Sequence, residues 1–301
     1  AEIISRPYIK IKSDGNVLIT VSSGVNAIKV ILDDSDPIDS GKQMWMRGAF
    51  LDGTVGGITY ETDGLSSLGT CLTTGNFGTA GRNQFGRYCV KGVAIRGFFN
   101  AVAFKMVDNY LALFDDCHIE QNANNFTTVA GTNTNSGENM RVVNSVCAGA
   151  TNNVLLSVST LDMNFIGTSI DFCTNAVFVS DVGAGFTTIK YSGCYFEEVD
   201  VISQNVIAAS NLTTTFSNCT ALIKSDEPPR KFKGVQSVEF NGFEIRMLEP
   251  TGVQQSADNG SLCLPEVIVR RNNISYSRSY GLITSESMSS LPRWLDGRRK
   301  V

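Results

Sequence analysis

One phrase of nine residues recurs along most of this chain: apolar, any, apolar, any, turn residue, small, any, apolar, outward residue. The copies are MWMRGAFLD from Met44, YCVKGVAIR from Tyr88, ALFDDCHIE from Ala112, MRVVNSVCA from Met140, MNFIGTSID from Met163, IKYSGCYFE from Ile189, TTFSNCTAL from Thr214, VEFNGFEIR from Val238 and VIVRRNNIS from Val267. Aligned on their third residue, they stand at 46, 90, 114, 142, 165, 191, 216, 240 and 269. After a first step of 44 residues, every step lies between 23 and 29. Self-similarity at a period near 25 marks a repeat architecture in which each unit buries its apolar face only by stacking on its neighbours.

The columns of the phrase assign a role to each position. The third is Met46, Val90, Phe114, Val142, Phe165, Tyr191, Phe216, Phe240 and Val269, with no charged or small polar member, and is core. The fifth is Gly48, Gly92, Asp116, Asn144, Gly167, Gly193, Asn218, Gly242 and Arg271; eight of the nine are types that tolerate a left-handed backbone, which implies a tight bend. The sixth holds Ala49, Cys117, Ser145, Thr168, Cys194 and Cys219, as a cramped inward position requires. The eighth runs Leu51, Ile95, Ile119, Cys147, Ile170, Phe196, Ala221, Ile245 and Ile274, again core. Two strands per coil follow. A further strand is announced by asparagines that precede apolar residues, Asn100, Asn125, Asn153, Asn175 and Asn205. Stacked amides bond to one another in parallel arrays.

All copies read in the same direction, whereas hairpins would reverse the pattern at alternate strands. No WD-type signature, LxxLxL motif or helical periodicity intervenes. The expected fold is therefore all-β: a right-handed parallel β-helix of about 9–10 coils, right-handed being the commoner hand. Residues 31–275 form the β-helix and residues 1–30 its N-terminal capping strands. A hairpin is expected at Asp14-Gly15, and an inserted segment at about residues 53–87. Residues 276–301, with Trp294 and a basic end, form a tail that caps the last coil or contacts a neighbouring chain.

The bulk composition excludes several functions. With 42% hydrophobic and 18% charged residues, the 301-residue chain can bury a large core. A net charge of −4 with scattered Lys and Arg argues against a nucleic-acid partner. No apolar run approaches the roughly 20 residues of a membrane helix, and the first residues lack the basic and apolar regions of a signal peptide. The eight cysteines form no CxxC and sit at apolar repeat positions, so they read as free, buried thiols rather than disulfides or metal ligands. Neither a cofactor nor a metal is expected.

The chemistry concentrates on one outward strip. The seventh and ninth columns flank the buried eighth and point to solvent. They bring together Arg96, His118, Glu120, Asp171, Tyr195 and Glu197, with Glu198 and Asp200 extending the acidic cluster. Coils ~4.8 Å apart place Asp171 and Glu197 at about that separation and Glu120 about twice as far from Asp171. The first distance suits a retaining glycosidase, and the second leaves room for the attacking water of an inverting one. Glu120, Asp171 and Glu197 are the candidate catalytic residues; Arg96, His118, Tyr195 and Glu198 are the candidate substrate contacts. A lyase, using Arg96 and Tyr195 on a uronate, is the alternative chemistry. No GxSxG, HExxH, P-loop or GxGxxG setting is present.

The repeating coil, the small residues after the bend, the asparagine thread and the polar outer strip together resemble the β-helix of bacteriophage tailspikes, within the wider pectate-lyase-like group. The resemblance covers about residues 30–275. It implies an extracellular, virion-borne homotrimer that binds and cleaves a bacterial surface polysaccharide, capsule or O-antigen, with Asp and Glu as catalysts. A non-catalytic receptor-binding spike is the alternative on the same scaffold. Tailspikes also carry a virion-attachment domain and often a trimerising domain that have no counterpart here, so the chain reads as a trimmed or processed spike. The calcium site of pectate lyases has no residue-by-residue match.

Overall fold

The computed structural model of the chain describes residues 3–5, 10–30, 44–45, 49–62, 69–74, 85–86, 88–105, 109–129, 137–156, 161–180, 186–207, 211–224, 231–248 and 267–278. All regular structure among them is β-strand, and the strands stack in parallel as a β-solenoid. The five central coils each carry three strands. Coil 1 spans 89–105, coil 2 spans 113–129, coil 3 spans 140–156, coil 4 spans 162–179 and coil 5 spans 186–205.

Each coil is shaped by the backbone of its bend. Gly92, Asp116, Asn144, Gly167, Gly193, Asn218 and Gly242 all have φ between 50° and 78°, so the turn column of the phrase is a left-handed residue in every described member but Arg271. At Gly92 the neighbouring chain also excludes a side chain, since a Cβ there would meet the Gly53 carbonyl at 2.8 Å. A second left-handed corner follows the outward strip, at Gly97, Gln121, Gly149, Phe172 and Glu198. These two fixed corners hold successive coils in register, so that Phe114 lies on Val142, then Phe165, Tyr191, Phe216 and Phe240.

The core follows from that register. The third-column residues from Val90 to Phe240 and the eighth-column residues from Leu51 to Ala221 are buried, as are Cys117, Ser145, Thr168, Cys194 and Cys219 of the sixth. Rings stack along the third column at 5.0 Å for Phe165 on Tyr191, 5.2 Å for Tyr191 on Phe216 and 5.5 Å for Phe216 on Phe240. Offset stacking of this kind adds to what burial of the rings contributes. The Tyr191 hydroxyl is buried in this stack without a hydrogen-bond partner.

The asparagine thread is real but lies one residue earlier in two coils than expected. Asn124 Nδ2 donates to Asn100 Oδ1 at 3.0 Å, Asn152 to Asn124 at 2.8 Å and Asn175 to Asn152 at 2.9 Å. Asn100 in turn reaches the Thr70 hydroxyl. Asn125 and Asn153 form a parallel inner rail with Asn122, through bonds of 3.1 and 3.2 Å. Asn205 belongs to neither: its partner is the Val235 carbonyl, at the far end of a strand whose Val201 pairs with Asn175.

Both ends of the stack depart from the regular phrase. Ala49–Asp52 pairs with Cys89–Lys91, and Ile58–Thr62 pairs with Val93–Arg96. The first copy of the phrase was therefore set one strand too early in the chain, and Phe50, expected outward, is buried. Its bend, from Gly53 to Gly57, is longer than the others, and the segment taken for an insertion supplies two coil strands, Ile58–Thr62 and Thr70–Thr74. No hairpin forms at Asp14-Gly15, because Ile11–Lys12 and Val17–Val21 each pair in parallel with the coil above. At the other end, irregularities at Val238/Glu239 and Asn241/Phe243 put Ile274 against Phe243 rather than Ile245. Met46, Gly48, Cys263, Trp294 and the tail from residue 279 onward lie outside the described residues.

Two stability measurements test this account. Asn152→Ala removes one donor and one acceptor from the middle of the amide ladder and strands both neighbours, a loss of about 2–3 kcal/mol in urea unfolding. Tyr191→Phe deletes a buried hydroxyl that has no partner, and is expected to leave stability unchanged or raise it by about 1 kcal/mol.

Candidate functional site

The strip that carries the candidate residues is set by the register of the second strands. Arg96 pairs with Glu120, Glu120 with Ala148, Ala148 with Asp171 and Asp171 with Glu197. One column over, His118, Val146, Ser169 and Tyr195 follow in the same order. The structure thus brings Arg96, His118, Glu120, Asp171, Tyr195 and Glu197 onto one face. Glu198 has φ 51° and sits at the corner just past the strip, so it flanks the face rather than lying in it.

Each charge in the column meets a different neighbour. Arg96 donates to Glu61 through Nε at 2.8 Å and Nη2 at 2.6 Å, so its charge is already engaged. Glu61 was missed in the sequence reading, which placed Asp52 at that point of the column; the long glycine bend hides it. His118 Nε2 lies 3.2 Å from Glu120 Oε2. The Ser169 hydroxyl donates to both carboxylate oxygens of Asp171, at 2.7 and 2.9 Å. Burial raises the Asp171 carboxyl above the usual Asp value, the Ser169 bond opposes this, and the charge of Glu197 on the next coil adds to the rise.

Coil 3 breaks the strip. Its ninth-column residue is Ala148, and the next residue, at the corner, is Gly149 with φ 60°. Two bare positions in sequence leave a notch one coil wide. Glu120 and Gln121 form one wall and Asp171 and Phe172 the other. Two coil steps separate Glu120 from Asp171, about 9.6 Å at the backbone.

A shallow cavity of about 300 Å³ opens at the first-bend end of the strip, lined by Asn16, Thr54, Thr59, Ala94, Asp116 and His118 together with the bend glycines. His118 therefore borders both the cavity and the notch-side carboxylate Glu120.

Six of the seven described cysteines are buried. All seven are free thiols, and burial pushes Cys117 and Cys173 up to about 12. A thiol held protonated is neither nucleophile nor metal ligand. Among the described residues, no group of three or more His, Cys, Asp or Glu side chains is placed to hold a metal ion.

The raised Asp171 carboxyl has a consequence for stability. The folded chain holds that proton to higher pH than the unfolded chain, so stability falls as pH rises from the ordinary carboxylate range through the raised value. Asp171→Asn is expected to melt above the parent at pH 7 and together with it at pH 3. A calorimetric scan in which the parent is the more stable of the two at pH 7 would contradict this assignment. The chain matches no protein-family model and no solved structure.

Proposed function

We propose that this protein is a polysaccharide depolymerase of the phage-tailspike kind, which hydrolyses a bacterial capsule or O-antigen with the carboxylates of the outward strip. The observation that carries the proposal is the notch, where two carboxylates in one register column stand on either side of a bare Ala148-Gly149. A sugar chain laid across it meets an acid on one wall and a base on the other.

The roles follow from the electrostatics. Asp171 has the raised carboxyl and is the general acid that protonates the leaving glycosidic oxygen. Glu120, across the notch, takes the proton of an attacking water. Their separation of about two coil steps matches the ~6.5–9.5 Å of inverting glycosidases, with room for the water between them. Burial is the main cause of the raised Asp171 carboxyl, and the charge of Glu197, ~4.8 Å from Asp171, adds to the rise. Tyr195 and His118 flank the pair as sugar contacts. Hydrolysis is favoured over lyase chemistry because Arg96, the strip cation that would neutralise a uronate, is held by Glu61. The tailspike resemblance extends the proposal to a homotrimer acting outside the cell from the virion tail.

The test is a reducing-end assay against a panel of purified bacterial capsular and O-polysaccharides. Glu120→Gln and Asp171→Asn are each expected to lower the rate by about 10²–10⁴-fold while polysaccharide binding persists. Glu197→Gln removes a charge that raises Asp171, so the basic limb of the pH–rate profile moves to lower pH. Products that absorb in the ultraviolet as unsaturated sugars would replace hydrolysis with elimination. Binding without any new reducing ends would leave a receptor-binding spike.

A further inference from the structure

Phe172 occupies a backbone position that every other full coil fills differently. The second corner of the coil requires a left-handed residue, and coils 1, 2, 3 and 5 place Gly97, Gln121, Gly149 and Glu198 there. Coil 4 places Phe172, at φ 54°. A bulky side chain is disfavoured in this conformation, and residues held there against preference cluster at binding sites. The ring is not repaid by burial, since Phe172 is 55% exposed while the core phenylalanines of these coils are buried.

Its surroundings name the kind of ligand. On the preceding coil the equivalent residue is Gly149, which brings no side chain to the corner beside Phe172; a Cβ built there would have the Gln121 N at 3.5 Å and Cγ at 3.7 Å as its nearest neighbours. On the other side Asp171 precedes it in the chain, and its backbone N–H donates to the Glu197 carbonyl at 2.8 Å. An exposed aromatic face therefore adjoins a row of carboxylate acceptors and a notch. A pyranose is complementary to that combination, with C–H groups on one face and hydroxyl donors around its edge.

We infer that Phe172 is a stacking platform that seats one sugar ring of the polysaccharide by its apolar face, beside the notch of Ala148-Gly149. The ring sits next to Asp171, so the platform fixes which glycosidic oxygen the acid reaches. The sugar chain then runs along the solenoid axis, across the strands, rather than around a coil. The inference deepens the depolymerase reading and rests on it for the identity of the ligand.

Affinity electrophoresis through gels containing each polysaccharide of the panel, with the reducing-end assay alongside, tests the platform. Phe172→Ala is expected to weaken retention and raise KM by about tenfold, the size of one aromatic stacking contact, with kcat changed far less. Phe172→Gly relieves the backbone, so its melting temperature is expected to equal or exceed the parent's while retention still falls. A residue needed only for folding would show the opposite, lower melting with retention intact. Ala148→Leu, which fills the notch, is expected to abolish cutting.

The outcomes separate the two readings. If Glu120→Gln and Asp171→Asn stop cleavage but Phe172→Ala and Phe172→Gly bind and cut as the parent does, the platform is overturned and the depolymerase stands. If the parent produces no reducing ends, yet Phe172→Ala loses retention, the platform stands and the catalytic reading falls. Phe172 variants that change only the mass of the assembly in light scattering would make the ring a subunit contact and overturn the inference. Retention by none of the polysaccharides overturns both.

Discussion

The left-handed residue that closes the first strand of each coil is the constraint on which the rest of the molecule depends. With φ near 50–61° at Gly92, Asp116, Asn144, Gly167, Gly193 and Asn218, the second strand begins within two residues and faces the same way. A slip of one residue would turn every inward side chain outward. Holding the bend fixed therefore makes each position of the phrase lie on the same position of the next coil, ~4.8 Å away. A ring column, an amide column and a carboxylate column are then all the same event seen at different positions. Gly, Asn and Asp fill the bend because other residues cost roughly 1–2 kcal/mol there.

In-register stacking treats polar groups unequally. An amide is both donor and acceptor, so Asn100, Asn124, Asn152 and Asn175 satisfy one another along the stack. A carboxylate only accepts, and two in adjacent coils repel by about 1 kcal/mol even with water-like screening. The strip relieves most of these contacts. Glu61 is matched by Arg96, Glu120 by His118, and Ala148 keeps Glu120 and Asp171 from being neighbours. Asp171 and Glu197 are left adjacent, and there burial and the Glu197 charge raise the Asp171 carboxyl against the opposing Ser169 hydroxyl and His118. In the proposed mechanism that same carboxyl is the general acid.

Most of this was legible from the chain because the phrase encodes the bend and the core together. The third, fifth, sixth and eighth columns were readable wherever the bend is one residue long, from Tyr88 to about Ile245. They failed where it is not. Gly53 to Gly57 make a longer bend, so counting back from Gly92 put Leu51 and Asp52 in columns that belong to Tyr60 and Glu61. Irregular pairing after Val238 misplaced Ile274 in the same way. The asparagine register was recoverable: Asn100, Asn124, Asn152 and Asn175 each stand two residues before an inward apolar residue, Val102, Phe126, Val154 and Val177. Asn125 and Asn153 drew attention because they touch that residue directly. What no column reveals is the ion pair of Glu61 with Arg96, since it depends on knowing which coil precedes coil 1.

Repetition also makes departures informative. In a solenoid each column carries its own structural demand, and a residue that meets the demand needs no other explanation. Gly97 and Gly149 meet the demand of the second corner outright, and Gln121 and Glu198 take its left-handed backbone with polar side chains suited to water. Phe172 takes the same backbone with an apolar ring, keeps that ring largely in water and contributes little to the core in return. Column nine makes no demand for a small residue, yet coil 3 supplies Ala148 there and Gly149 directly after it. Two departures in adjacent coils, one removing side chains and the other adding an exposed ring, flank the one carboxyl of the strip that burial raises. Packing accounts for neither departure, whereas under the proposed function a sugar seated between Glu120 and Asp171 would account for both.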